Sequence, residues 1–291
     1  MHKALIAALL ALPLLASCAV QAKPRDGENR FPTSRDFPAT VMTRVAFTAG
    51  GATPWKLSAL DTPRATPSSW KIVVITGTPS WSEFWAPVLA KVGPDREMVV
   101  ADRPGFAASE PAAAVTSIAA QADALAPLLA GPDGQKVIVI GQSYGGPIAT
   151  LLAARHPDKV KALVLMSAFF GERGPAIRRL DALGSLVRPA LPRDMQNALA
   201  EITHQKKQLP AVRAALASLT VPIIVLHGDK DDFIEPAAAQ RLAAAAGPRA
   251  QYMVAPGGDH FLNACCVNDV LAAVERGVAA AESAPTPSVS R

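Results

Sequence analysis

Cysteine, aromatic residues and charged residues are all scarce in this chain, and each shortage excludes a class of protein. Three cysteines among 291 residues are too few to hold together a small disulfide-rich fold. Aromatic residues make up 5% of the chain and the net charge is only +5, with no concentrated basic run, so we expect no nucleic-acid partner. Charged residues reach 18% against 50% hydrophobic residues, which excludes a disordered chain. The length suits one large α/β domain or two small ones.

The N-terminal residues are typical of an export signal. Met1-His2-Lys3 is basic, and the apolar run of 12 residues that follows is shorter than the roughly 20 residues of a membrane-spanning helix. The run leads into Leu15-Ala16-Ser17-Cys18, which resembles the bacterial lipobox, where the cysteine is lipidated. No later apolar stretch is long enough to span a membrane, so we expect the rest of the chain to be soluble.

Two cleavage sites fit this leader. In the first, residues 1–17 are a lipoprotein-type signal peptide, and residues 18–38 are a linker. The protein is then exported to the bacterial cell envelope, where the lipid on Cys18 anchors it to a membrane facing the periplasm. In the second, cleavage follows Ala22, and the protein is soluble in the periplasm or secreted. We predict the lipid-anchored form, and both forms leave the cytoplasm.

The apolar residues predict an α/β domain over residues 39–280, followed by a disordered tail over 281–291. Two segments with alternating apolar and polar residues, 41–47 and 55–60, suit an antiparallel pair at one sheet edge. Six short, solidly apolar runs suit buried parallel strands: 71–76, 98–101, 137–140, 162–166, 223–226 and 252–254. Helical stretches alternate with them: 82–92, 116–130, 144–155, 236–246 and 267–280. This alternation predicts a mostly parallel eight-stranded sheet flanked by helices.

A long insertion interrupts the alternation at residues 170–221. It has about 50 residues without a convincing strand, and segments 193–206 and 210–219 are predicted to be helical. An insertion of this size between two strands predicts a helical cap over one edge of the sheet. It contains eight basic and four acidic residues. This positive charge could attract anionic lipids or anionic substrates, or it could simply belong to a solvated helix face, which is the interpretation we favour.

A nucleophile-elbow pattern follows the predicted strand 137–140. Gly141-Gln142-Ser143-Tyr144-Gly145-Gly146 matches G-x-S-x-G between a strand and a helix. Its glycines allow the strained turn that exposes a serine hydroxyl at a helix N-terminus, where negative charge is favoured. Ser143 is therefore the candidate nucleophile, and a serine hydroxyl needs an adjacent base.

A candidate acid and a candidate base follow the serine in chain order. Asp231 and His260 each come after a predicted strand, at the sheet edge where open α/β folds place their sites. Asp229 and Asp232 are alternative acids. His227, at the end of a strand, is predicted to be a packed structural residue.

Together these motifs resemble the α/β-hydrolase superfamily, in its lipase/esterase-like branch, over roughly residues 41–280. A fourth motif, Asp102-Arg103-Pro104-Gly105-Phe106-Ala107-Ala108-Ser109, resembles the family's D-R-P-G-F/Y-G-x-S loop, with Ala107 in place of a usual glycine. Members of the family place the acid three residues after a glycine, which favours Asp231. The resemblance implies the α/β-hydrolase fold with a helical cap.

The resemblance also implies an oxyanion hole. Thr76-Gly77-Thr78-Pro79 resembles the family's H-G-x-P segment, and the backbone N–H groups of Thr78 and Tyr144 would hold the oxyanion. Thr76 stands where the family usually has histidine, so we expect a changed hydrogen bond there, with activity retained.

The resemblance predicts a serine hydrolase that cleaves a carboxylic ester through an acyl-enzyme intermediate. Ser143 is the nucleophile, His260 the base and Asp231 the residue that orients it, on a small-molecule or lipid ester, with no metal or organic cofactor. Amidase, thioesterase or acyltransferase chemistry on the same triad, and a catalytically silent binding domain, are the alternatives. Cys265 and Cys266 suit a strained vicinal disulfide or, as we favour, small buried apolar residues.

Overall fold

An eight-stranded sheet forms the centre of the computed structural model, which describes residues 31–64, 68–179 and 188–283. The strands are β1 (Thr43–Thr48), β2 (Lys56–Asp61), β3 (Trp70–Ile75), β4 (Arg96–Asp102), β5 (Lys136–Gln142), β6 (Val160–Met166), β7 (Ile223–Gly228) and β8 (Ala250–Ala255). Their order is β1-β2-β4-β3-β5-β6-β7-β8. The pairs β1–β2 and β2–β4 are antiparallel, and the pairs from β4 to β8 are parallel. The predicted mostly parallel eight-stranded sheet is confirmed.

The two faces of the sheet carry separate hydrophobic cores. Alternate residues of β3 show this: Ile72 and Val74 belong to one cluster of buried side chains, and Val73 and Ile75 to the other. A strand that is covered on both faces needs apolar residues at every position, which explains the solid apolar runs of the central strands. The edge strand β1, by contrast, alternates between half-buried and exposed residues.

The α-helices whose bounds the structure gives are α1 (Ala86–Leu89), α2 (Ile118–Leu125), α3 (Gly145–Arg155), α4 (Arg193–Gln205), α5 (Leu209–Ser218), α6 (Pro236–Ala246), α7 (Leu262–Cys265) and α8 (Val267–Ser283). Two predicted helices are broken by proline. The predicted helix 82–92 is a 3-10 turn followed by the short α1, which begins next to Pro87. The predicted helix 116–130 changes to a 3-10 turn at Ala126, because Pro127 has no backbone N–H to continue the α-helical hydrogen bonds.

The helices α4 and α5 lie between β6 and β7, in the region predicted to be a cap. The structure shows no strand among the described residues of this region, and 180–187 lie outside the described residues. Helix α5 packs against α3, the helix that follows the predicted nucleophile. The cap region is therefore in direct contact with the element that positions Ser143.

The chain termini are described only in part. Residues 1–30, which hold the predicted signal peptide and Cys18, lie outside the described residues, as do 284–291 of the predicted tail. Within the predicted linker, Ser34 donates its backbone N–H to the Glu83 carboxylate at 2.7 Å. Across residues 31–64, 68–179 and 188–283, no helix has the length and apolar character needed to cross a membrane.

Candidate active site

The turn between β5 and α3 places Ser143 in a strained conformation at the carboxyl edge of the sheet. Its φ is +49°, a left-handed value that only a tightly packed turn holds in a non-glycine residue. A Cβ on Gly145 would collide with the carbonyl oxygen of Ile75, and one on Gly141 would lie 2.7 Å from Gly146 Cα. The flanking glycines are therefore required by space, as the elbow pattern predicts.

Ser143, His260 and Asp231 form a continuous hydrogen-bonded chain. Ser143 Oγ lies 3.1 Å from His260 Nε2, and His260 Nδ1 lies 2.8 Å from Asp231 Oδ2. The other carboxylate oxygen, Oδ1, accepts the backbone N–H groups of Phe233 and Ile234, each at 2.9 Å. All three side chains are buried, and the Phe233 ring stacks on His260 with centroids 4.9 Å apart. The loops after β5, β7 and β8 thus bring together residues that are 117 and 29 positions apart.

The segment Thr76–Pro79 runs beside the serine. A Cβ built on Gly77 would lie 3.0 Å from Ser143 Cβ and 3.6 Å from its Oγ, so this backbone passes directly against the nucleophile. The buried Thr76 hydroxyl donates to the Ser80 carbonyl at 3.2 Å, which is a hydrogen bond of the loop with itself. The predicted oxyanion-hole residues are therefore neighbours in the chain of two groups that touch: Thr78 follows Gly77, and Tyr144 follows Ser143.

Comparisons with known proteins agree with this architecture. The sequence profile of the α/β hydrolase fold family matches residues 72–200. The chain has the fold of an esterase from Thermogutta terrifontis, with a TM-score of 0.62 and 21% identity over 83% of this chain and 100% of that one. The chain therefore has the α/β-hydrolase fold.

Two curated relatives share a shorter stretch of sequence with this chain. One is a 2-hydroxymuconate semialdehyde hydrolase of Pseudomonas sp. strain CF600, 33% identical over 37% of this chain and 38% of the relative. The other is lipase LipV of Mycobacterium tuberculosis, 34% identical over 38% and 41%. The chain therefore spans about two fifths of the length of the curated relatives it matches. The match to the lipase agrees with the predicted resemblance to the lipase/esterase-like branch.

Only one of the three acids considered from the sequence meets His260. Asp231 is buried against His260, whereas Asp229 and Asp232 are exposed. Asp229 accepts the backbone N–H of Gly257 at 2.7 Å and so braces the loop that carries His260.

The carboxylate of Asp231 is held in its charged form. Burial alone would raise its pKa, but the attraction and hydrogen bond of His260, the attraction of His227 and the Ile234 N–H outweigh burial. The pKa therefore lies below its usual value. An ionised carboxylate at this position accepts the Nδ1–H of His260 and leaves Nε2 free to face Ser143.

His227 has a closer relation to the site than the sequence predicted. Its Nε2 lies 2.9 Å from the Ile234 carbonyl and 3.3 Å from Asp231 Oδ2, so this nitrogen carries the hydrogen. Burial lowers the pKa of His227 below its usual value, although Asp231 opposes that shift, and the ring is neutral. A histidine four residues before the acid, across the turn that ends β7, is the sequence signal for this contact.

The two cysteines near the histidine loop, Cys265 and Cys266, are not joined in a disulfide. Cys266 is buried, Cys265 is half-buried, and burial raises the pKa of the Cys265 thiol. The Cys265 thiol is therefore not activated as a nucleophile. Among the residues that the structure describes, no group of three or more His, Cys, Asp or Glu side chains could hold a metal ion.

Proposed function

We propose that this protein is a serine hydrolase that cleaves a carboxylic ester through an acyl-enzyme intermediate. The observation that carries the proposal is the buried hydrogen-bonded chain from Ser143 through His260 to Asp231. A G-x-S-x-G elbow alone is a common turn, but a serine hydroxyl in contact with a base that is itself oriented by a carboxylate has the geometry of an activated nucleophile.

In the first step, His260 acts as the general base. Its Nδ1–H is directed to Asp231, so Nε2 accepts the Ser143 proton as the serine oxygen attacks the ester carbonyl carbon. The imidazolium that forms is stabilised by the Asp231 carboxylate at 2.8 Å.

The negative charge that develops on the carbonyl oxygen needs hydrogen-bond donors. The backbone N–H groups of Thr78 and Tyr144 supply them, and each donor of this kind contributes about 2.7–4 kcal/mol to transition-state stabilisation. The N-terminus of α3 directly follows Ser143 and adds a favourable dipole.

The intermediate then breaks down. His260 donates the proton to the leaving alkoxide, which departs as an alcohol and leaves an acyl group on Ser143. A water molecule, deprotonated by His260, attacks that acyl group and releases the carboxylic acid. Every proton passes between side chains of the triad, water and substrate, so these steps require no metal or organic cofactor.

We place the reaction in the cell envelope. The leader over residues 1–17 and the lipobox-like Leu15-Ala16-Ser17-Cys18 support export with a lipid anchor at Cys18. Expression in a bacterial host with labelled palmitate tests this: the wild type should incorporate label and the Cys18→Ser variant should not. Equal labelling would refute the anchor.

The proposed function is tested with p-nitrophenyl esters of increasing acyl chain length and purified protein that starts near Lys23. Ser143→Ala should lower kcat by about 10⁴-fold or more. Ser167→Ala is a matched control, because Ser167 is also buried with a positive φ of 45° at the end of the neighbouring strand β6. That variant should keep its activity.

A fluorophosphonate label separates an enzyme from a silent binding domain, since only an activated serine reacts rapidly with it. The wild type should be labelled at Ser143, and Ser143→Ala should not. Folded wild-type protein that neither turns over any ester nor takes up the label would refute the proposed function.

A further inference from the structure

A buried arginine holds the backbone on which one predicted oxyanion donor stands. Arg103 has no exposed side-chain surface. Its Nε donates to the Thr76 carbonyl at 2.8 Å, and its Nη2 donates to the Gly77 carbonyl at 2.6 Å. Two donors of one rigid guanidinium thus fix two successive carbonyl groups of the loop beside Ser143.

The second of these carbonyls controls the direction of a donor. The Gly77–Thr78 peptide is trans, and in a trans peptide the C=O and the N–H point in opposite directions. A carbonyl that is held toward Arg103 therefore holds the N–H of Thr78 away from Arg103. The same guanidinium lies 5.4 Å from the ring centroid of Tyr144, whose backbone would supply the other donor.

The opposite side of the guanidinium is bound by the cap. Glu201, on α4, accepts from Arg103 Nη1 at 2.7 Å and from Nη2 at 3.1 Å, and its side chain is also completely buried. Gln121 completes the cluster: its Oε1 accepts from Arg103 Nη1 at 2.5 Å and its Nε2 donates to Glu201 at 2.6 Å. Such a closed, desolvated cluster has one favourable geometry.

We infer that Arg103 is a positioning residue for the oxyanion hole, and that Glu201 of the cap helix α4 fixes Arg103 in the position this requires. The inference rests on the proposed function. It couples two parts of the fold: with α4 in place, the Thr78 N–H is aligned for the developing oxyanion, and without Glu201 the guanidinium and the loop lose that alignment.

The decisive variant replaces both charges at once, Arg103→Met with Glu201→Met. A single substitution would leave an unpaired buried charge and could prevent folding, whereas apolar replacement of a whole buried ion pair is often neutral or stabilising. The double variant should fold, but it should melt below the wild-type temperature, because the Thr76 and Gly77 carbonyls and Gln121 lose their buried partners. Its kcat should fall about 100-fold with KM little changed, because oxyanion donors act on the transition state. Arg103→Lys keeps the charge but replaces the rigid guanidinium fork with a single flexible nitrogen, so its kcat should lie between those of the wild type and the double variant.

A matched control tests whether any loosening of the cap has the same effect. Asn197 lies one turn before Glu201 on α4 and donates to the carbonyls of Gly105 and Ala112 at 2.7 and 3.0 Å. Asn197→Ala removes a buried anchor of the same helix without touching Arg103. Its kcat should stay within about threefold of the wild type.

A boronic acid inhibitor supplies a readout that simple destabilisation does not move, since its tetrahedral adduct on Ser143 places an oxygen where the oxyanion would lie. Its affinity should fall in parallel with kcat/KM in the double variant and remain unchanged in Asn197→Ala.

If the double variant kept the wild-type kcat while Ser143→Ala was inactive, the inference would be overturned and the proposed function would stand. An equal loss of kcat in Asn197→Ala would also overturn it. A wild type with no Ser143-dependent turnover and no fluorophosphonate labelling would refute the proposed function, and the inference with it.

Discussion

The substitution Asp231→Asn tests the proposed mechanism most directly, because it changes the chemistry of one atom and little of the shape. In the wild type, Oδ1 accepts the N–H groups of Phe233 and Ile234 at 2.9 Å. The other oxygen, Oδ2, lies 2.8 Å from His260 Nδ1 and 3.3 Å from His227 Nε2. Every neighbour of the carboxylate is therefore a donor.

An asparagine can satisfy only half of these donors. Its carbonyl oxygen must remain opposite the two backbone N–H groups, since the alternative would leave both unpaired in a buried turn. The amide NH₂ group then faces His260 and donates to Nδ1. The imidazole proton moves to Nε2, which can no longer accept the proton of Ser143. The expected loss of kcat is about 10⁴-fold, the size that a wrong histidine tautomer produces in a serine hydrolase.

The assay is p-nitrophenyl ester hydrolysis at saturating substrate, with thermal unfolding to show that the variant is folded. Asp229→Asn and Asp232→Asn are controls, since both carboxylates are exposed and neither meets His260. Both should keep kcat within about threefold of the wild type. A folded Asp231→Asn protein that kept more than about a tenth of the wild-type kcat would refute the tautomer argument.

Three further predictions concern stability. The pKa of buried His227 lies below 6.5, so stability should fall as the pH drops below that value, because the unfolded chain takes up a proton that the folded ring does not. In His227→Gln, the melting temperature should therefore depend less on pH between about pH 5 and 6.5. An unchanged dependence on pH would contradict this prediction. Gln142 accepts from Trp85 Nε1 at 3.0 Å and donates to Asn263 Oδ1 at 2.8 Å in a buried network. Gln142→Leu should lower the free energy of unfolding by about 3 kcal/mol, measured by denaturant titration, because Trp85 Nε1 and Asn263 Oδ1 lose their buried partner. A loss below about 1 kcal/mol would show that these two groups find other partners. Gly277→Ala should raise that free energy by about 1 kcal/mol, since a methyl group in α8 would meet its nearest neighbour at an ordinary 3.5 Å and helices favour alanine. A destabilised Gly277→Ala protein would mean that this packing is tighter than the distance indicates.

The sequence by itself determined the class of fold and the location of the candidate site. The solid apolar runs of β3 and β5, and the glycines around Ser143, reflect requirements of neighbouring residues in the chain, namely burial on both faces and a tight turn. Such local requirements are visible in a short stretch of sequence. The interruptions of the helices near Pro87 and Pro127 could also be predicted from the sequence, because proline changes the backbone geometry and hydrogen bonding of its immediate neighbours.

Only the tertiary structure decided which distant side chains meet. Three carboxylates within four residues satisfied the chain order, and the packing of the loop after β7 brought Asp231 alone to His260. Arg103 and Glu201 are 98 residues apart, and Glu201 lies within the inserted region 170–221. No periodicity or turn pattern in the sequence predicts that they pair. Contacts of this kind depend on the relative placement of whole elements, and that placement results from the packing of the complete core.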